Sequence, residues 1–233
     1  MSSRHTKRYP GETEDYRRER DELLEGEIVL RRQTEQLAAL RRKLPVGAEV
    51  PTDYVFEEGA ADLGDRETVR QVRLSELFAP GQDALVVYNF MYGPSMAKAC
   101  PMCTSFLDSL DGQAEHIRQQ VSLAVVAKSP IARIRDYARS RAWTGLRLLS
   151  SAANTYNADY FGEEPDGSQN PMMNVFVRRD GTVRHFWGSE LLFSSEPGQN
   201  SRHIDTMWPL WNVLDLTPEG RGATWYPKIS YEK

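Results

Sequence analysis

A chain of 233 residues suits one medium domain with an extension, or two small domains, and its 40% apolar and 27% charged residues are ordinary for a globular protein. With 29 basic against 33 acidic side chains the net charge is −4, which gives neither a basic field for nucleic acid nor a solvating acidic tail. Two cysteines are too few for a multi-disulfide secreted scaffold.

Residues 1–44 read as a helical extension ahead of a domain spanning 45–233. Leu23, Leu30, Leu37 and Leu44 recur every seven residues, with Leu40 and Ile28 near the same face and Gly26 interrupting the stripe. The spacing predicts one or two helices from about residue 12 to 43, closed by Leu44-Pro45. Such a helix either packs on its own domain or pairs with a second copy as a homodimer. Glu27 and Glu35 flank Arg31 and Arg32, so the Arg-rich face of Arg31, Arg32, Arg41 and Arg42 reads as solvated. No apolar stretch of signal-peptide length follows the basic N-terminus, and no run approaches the roughly 20 residues of a membrane helix. A cytoplasmic protein with no membrane and no nucleic-acid partner is expected.

Residues 45–83 read as irregular structure with short strands at 54–56 and 69–74. Residues 84–90, β-branched and aromatic, form a buried strand. A loop, 91–99, carries Gly93-Pro94 and delivers the chain to Cys100-Pro101-Met102-Cys103, after which Phe106, Leu107, Leu110, Ala114 and Ile117 keep helical spacing. A strand at 121–127 follows, then a helix opened by Pro130 with Ile131, Ile134, Tyr137 and Ala138 inward. Beyond a short strand at 146–149 come a short helix at 154–161 ended by Gly162, a polar loop at 163–170, and a hairpin of 173–177 with 182–187 around Arg179-Asp180-Gly181. A last helix is expected over 203–214. This order is α/β.

The cysteine pair lies where the first core strand hands over to its helix. Disulfide exchange needs a thiolate, whereas a free thiol near pKa 8.5 is mostly protonated at neutral pH. A helix N-terminus supplies partial positive charge and unpaired N–H groups, and both stabilise an anion. Cys100 falls at the N-cap and Pro101 at the first helical position, where a missing N–H costs nothing. Cys103 then sits on the first turn, facing the same way but deeper. Lys98 is the one charged side chain between Asp83 and Asp108, so no carboxylate adjacent in sequence opposes a Cys100 thiolate. Cys100 is expected to attack and Cys103 to resolve. Soft-metal binding by the pair, redox sensing, and two merely structural cysteines remain open alternatives. No cofactor is implied: GxGxxG, GxxxxGK[ST] and GxSxG motifs are missing, and zinc would need ligands beyond one pair.

With these residues in view, the chain resembles the thioredoxin superfamily, and more closely a bacterial thioredoxin-like family of unknown function described as dithiol–disulfide oxidoreductases. The resemblance runs through Arg41-Arg42-Lys43-Leu44-Pro45, Asp53-Tyr54-Val55-Phe56-Glu57, Asn89-Phe90-Met91-Tyr92-Gly93-Pro94 and Cys100-Pro101-Met102-Cys103. It continues in Trp143-Thr144, Ser150-Ser151 and Leu214-Asp215-Leu216-Thr217-Pro218. It implies a central mixed sheet flanked by helices, a disulfide substrate of protein or small-molecule kind, and a cis-proline facing the cysteines, for which Pro171 is the matching position. Tyr92 and Trp143 are expected at the surface as substrate contacts, while Tyr88 and Phe90 are expected in the core. Three departures stand out. Ala99 replaces the tryptophan that precedes the first cysteine of thioredoxin, the preceding strand has no acid, and Pro94 lies six residues before Cys100 without the threonine of the peroxiredoxin pattern. Copper-delivery relatives add a histidine to two cysteines. Met91, Met96 and Met102 would suit Cu(I), with His185 and His203 reaching the pair only through the fold, and His5 and His116 lying in the tail and on an exposed helix face.

Overall fold

The computed structural model describes residues 4–194, 196–197, 202–222 and 224–231. It divides into two compact units, Met1–Pro45 and Val46–Lys233.

The first unit is built on α1, Glu14–Arg42, a single helix of 29 residues that continues through Gly26. Thr13 caps it by accepting the Tyr16 N–H at 3.2 Å. Glu14 and Asp15 in the first turn and Arg41 and Arg42 in the last complement the helix dipole. Arg17 is the one buried residue of α1 and lies within ion-pair reach of Glu12 and Asp21, at 3.6 and 3.2 Å. Leu23, Leu30, Leu37 and Leu40 are exposed.

The second unit is a seven-stranded mixed sheet. Its strands are β1 (Val55–Gly59), β2 (Val69–Arg73), β3 (Ala84–Asn89), β4 (Ser122–Ala127), β5 (Leu148–Ser150), β6 (Met172–Arg179) and β7 (Thr182–Gly188), in spatial order β2-β1-β5-β4-β3-β6-β7. The centre, β5-β4-β3, is parallel, and β6 pairs antiparallel with β3. Parallel neighbours need crossovers. Here α2 (Pro101–Ile117) links β3 to β4, and α3 (Ile131–Arg141) links β4 to β5. This sheet with its flanking helices is the thioredoxin-like architecture implied by the resemblance.

β4 is buried along its whole length, as expected of a central strand covered on both faces. Leu85 and Val87 of β3 face one core with Phe56, Ala124, Val126, Leu149 and Phe176. Tyr88 and Phe90 face the other, with Val125, Met173, Cys103, Phe106, Leu107 and Ile134. At the edge, buried Glu58 of β1 holds Arg147 at 2.7 Å and Arg70 of β2 at 3.0 Å. Asp180 and Gly181 join β6 to β7 with φ of 51° and 77°, the two left-handed positions of a tight hairpin.

Three element boundaries differ from expectation. Pro130 caps α3 instead of opening it. The short helix after β5, α4, is confined to Tyr156–Asp159. The expected helix over 203–214 is broken: a 3-10 turn, Asp205–Met207, precedes α5, Pro209–Leu214. Trp208 lies between them at φ −106°, ψ 96°, because a following proline disfavours helical geometry in the residue before it. No helix among the described residues is long and apolar enough to cross a membrane.

Candidate active site

β3 ends at Asn89, and Phe90-Met91 then turn the chain so that the Cys100 N–H donates to the Met91 carbonyl at 3.2 Å. That bond closes the loop 91–100 on itself and places Cys100 at the N-cap of α2 with Pro101 at its first position. Arg133 of α3 fixes the loop from the other side. Its guanidinium stacks 4.2 Å from the Tyr92 ring centre, and it donates to the carbonyls of Gly93, at 3.1 Å, and Met96. Thr104 completes the frame by donating from Oγ1 to the Cys100 carbonyl at 2.9 Å, with the Tyr137 hydroxyl 2.8 Å away.

Both cysteines are free thiols in different surroundings. Cys100 is partly exposed, while Cys103 is 1% exposed. The Cys103 thiol donates to the Cys100 sulfur, and against the opposing effect of burial this bond, with the N–H groups of Cys103 and Met102, pulls the Cys100 thiol down to about 6. Burial, and then the same bond seen from the donor's side, push the Cys103 thiol well above its usual value. The helix start thus acts on Cys100 through identifiable backbone donors.

The Tyr88 hydroxyl reaches Cys103 from beneath, within a pocket of buried side chains, and the Met91 N–H also points at that sulfur. Tyr88 is the residue that sequence reasoning missed as a functional group: its alternation in β3 marks it as inward-facing, and the inward face of β3 meets the first turn of α2. Arg133 was missed because its role depends on α3 packing beside the loop.

The expected site residues separate into groups. Cys103, Tyr92 and Trp143 share one cluster, with Cys100, Met91 and Met102 packed against it. Pro101 and Lys98 are exposed beside it, and Lys98 is not among the groups that shift Cys100. Tyr92 and Trp143 are not surface contacts, as expected from sequence, but buried at 7% and 2% exposure. Ala142 adopts a left-handed conformation, and the Trp143 N–H returns to the Ala138 carbonyl at 3.0 Å, tucking the indole beneath α3. There Nε1–H donates to Asp108 at 2.8 Å. The expected cis-proline is also corrected: no described peptide bond is cis, so the bond before Pro171 is trans. Pro171 lies half-buried just before β6, next in chain to Gln169 and Asn170. Gln169 itself lies so close to Gly93 that a Cβ there would fall 2.8 Å from its Cγ.

The histidines lie elsewhere. His185 Nε2 lies 2.9 Å from Asn174 Oδ1, and buried His203 Nδ1 lies 2.6 Å from Ser189 Oγ, which also accepts the Met173 N–H at 2.9 Å. Among the described residues no group of three or more His, Cys, Asp or Glu side chains is arranged to hold a metal ion. Met96 sulfur accepts the Gly93 N–H at 3.2 Å.

A family model described as "Bacterial protein of unknown function (DUF899)" matches residues 6–232. The chain belongs to the DUF899 family. No match to a curated protein sequence was found for it. Among solved structures, this DUF899 protein is similar to reduced Plasmodium vivax 2-Cys peroxiredoxin at 15% identity and a TM-score of 0.47, over 73% of this chain and 96% of that one. Enterococcus faecalis AhpC is similar at 9% identity and a TM-score of 0.47, over 78% and 98% of the two chains. Mycobacterium bovis AhpC is similar at 15% identity and 0.45, over 74% and 98%.

Proposed function

We propose that this DUF899 protein is a thiol–disulfide oxidoreductase, with Cys100 as nucleophile and Cys103 as resolving thiol. The observation that carries the reading is the asymmetry of the pair: within one helical turn, a partly exposed sulfur favours the thiolate and a buried one holds its proton.

The Cys100 thiolate attacks one sulfur of a substrate disulfide. A bond forms between Cys100 and that sulfur while the substrate S–S bond breaks, and the second substrate sulfur leaves as a thiolate. Cys103 then passes its proton to the substrate thiolate released in the first step, its own sulfur supported by the Tyr88 hydroxyl and the Met91 N–H, and attacks the Cys100 sulfur. The substrate's remaining sulfur departs, two electrons have passed to the substrate, and the protein holds a Cys100–Cys103 disulfide. The reverse sequence oxidises a substrate dithiol by the same steps.

The exposed residues of the loop and helix start that hold Cys100 are Pro94, Ser95, Ala97, Lys98 and Pro101, with no carboxylate among them. Neutral or anionic disulfides are therefore the favoured substrates. Asp108 does not intrude, because Trp143 and Arg141 occupy its oxygens. Pro171, two residues after the Gln169 that lies against Gly93 of this loop, keeps its proposed role as a substrate-facing residue, whereas Tyr92 and Trp143 serve as buried support. A reducing compartment such as the bacterial cytoplasm suits an exchangeable pair better than a permanent brace.

The test is trapping. The Cys103→Ser protein, mixed with oxidised glutathione or a disulfide-bonded peptide, should accumulate a mixed disulfide on Cys100, and the parent protein should pass through it to an internal disulfide. A Cys103→Ser protein that forms no adduct, or a Cys100→Ser protein that forms one as quickly, would overturn the reading.

A further inference from the structure

The thiol chemistry leaves α1 unused, and its surface is organised in two ways at once. Tyr16, Leu23, Leu30 and Leu37 recur every seven residues, Leu44 continues the series just past the helix end, and Leu40 lies on the adjoining row. All six are exposed. Helices draw most of their stability in water from an apolar face packed against something, yet the one buried residue of α1 is an arginine. At 1.5 Å per residue the helix is about 43 Å long, or about four heptads, enough for a two-stranded coiled coil.

Charge says what covers this face. Between Glu14 and Glu27, α1 carries seven carboxylates and three arginines; between Ile28 and Lys43 there are one carboxylate and five cations. The helix dipole accounts for Glu14, Asp15, Arg41 and Arg42 at the ends, but its influence fades within a turn. It does not reach Glu22, Glu25 and Glu27, or Arg31 and Arg32 near the middle. A parallel second copy would set acid against acid and base against base. An antiparallel copy with Leu23 opposite Leu40 sets Asp21 and Glu22 beside Arg42 and Arg41 at both ends of the leucine seam.

We infer that α1 is a dimerisation helix that pairs antiparallel with α1 of a second copy of this chain, through the Leu23–Leu30–Leu37–Leu40 face, with Leu23 of each copy opposite Leu40 of the other. The leucines exclude water along the seam, and the flanking charges select direction and partner.

Sedimentation velocity or light scattering on the full chain tests this. The protein should be a dimer at micromolar concentration, and Leu30→Asp with Leu37→Asp should weaken association by on the order of 100-fold. Cys100 alkylation should stay unchanged in that variant, showing that the second unit is intact. Direction is read in a Cys100→Ser, Cys103→Ser background by mixing Leu23→Cys and Leu40→Cys chains under mild oxidation. An antiparallel pair gives a disulfide between positions 23 and 40, whereas a parallel pair joins 23 to 23 and 40 to 40. A monomer, a dimer that survives the two aspartates, or same-position cross-links would each overturn the proposal, as would binding of α1 to a different protein in preference to itself.

Discussion

At Cys100 and Cys103 one residue type acquires two characters from its surroundings. The first sulfur accepts from the neighbouring thiol and from two N–H groups, and the second is enclosed by Tyr88, Phe106 and Leu107. Tyr88 has the clearest single-atom prediction. In Tyr88→Phe the Cys103 thiolate loses its hydroxyl donor, so a mixed disulfide on Cys100 should persist about tenfold longer, the worth of one hydrogen bond. Alkylation of Cys100 should be unaffected, and stopped-flow release of a chromophoric thiol separates the two steps; unchanged resolution would remove Tyr88 from the mechanism. His203 makes a second prediction, about stability. Burial lowers its pKa from 6.5 to about 4, so the neutral form is favoured in the fold. The associated stability is complete above pH 6.5 and is lost as pH falls from there toward 4. Between pH 7 and pH 5, before most carboxylates titrate, His203 should account for a loss on the order of 2 kcal/mol in urea unfolding, and His203→Gln should shrink the total loss by that share while the part from the lowered Cys100 thiol stays. His185, lowered in the same direction by burial, adds to the loss and leaves a smaller slope in that variant.

At the scale of elements, the site is a loop held between two helices. Arg133→Ala removes the ring stacking on Tyr92 and the donors to Gly93 and Met96. Amide exchange at Cys100, whose N–H is bonded to Met91, should then quicken by on the order of tenfold or more while β4 exchange stays fixed; equal protection would show that the loop holds itself. Trp143→Phe keeps the aromatic contact with Phe90 and Tyr137 but leaves Asp108 without its indole donor. It should cost about 1–3 kcal/mol by chemical denaturation without altering substrate affinity. β3, β4 and the β6–β7 hairpin are legible in the sequence because β-branched runs and an Asp-Gly turn leave few other solutions. The helix start at Cys100-Pro101 is legible for the same local reason. What local pattern does not carry is which strands become neighbours, since β1 sits beside β5 and β6 beside β3. Nor does it show that Ala142 turns left-handed and swings Trp143 inward, so the indole read as a surface group proves to be core.

Taken whole, the second unit sets a partly exposed sulfur at the start of α2 and grips the loop that leads to it from a buried strand, and the first carries the helix proposed to meet a second copy. The proposed exchange uses residues of one chain alone, so the dimer proposal and the redox reading stand or fall separately. Both rest on differences in environment among residues that composition alone treats as equivalent, and the cysteine pair is the sharper case. Its decisive measurement is the pH dependence of alkylation, read by mass spectrometry separately at each cysteine of the reduced, folded protein. Cys100 should react first, with a rate that rises through an inflection near pH 6, and Cys103 should stay unmodified to well above the range of an ordinary thiol. Prior reaction at Cys103, or a single shared inflection near pH 8.5, would contradict the assignment of nucleophile and resolving thiol.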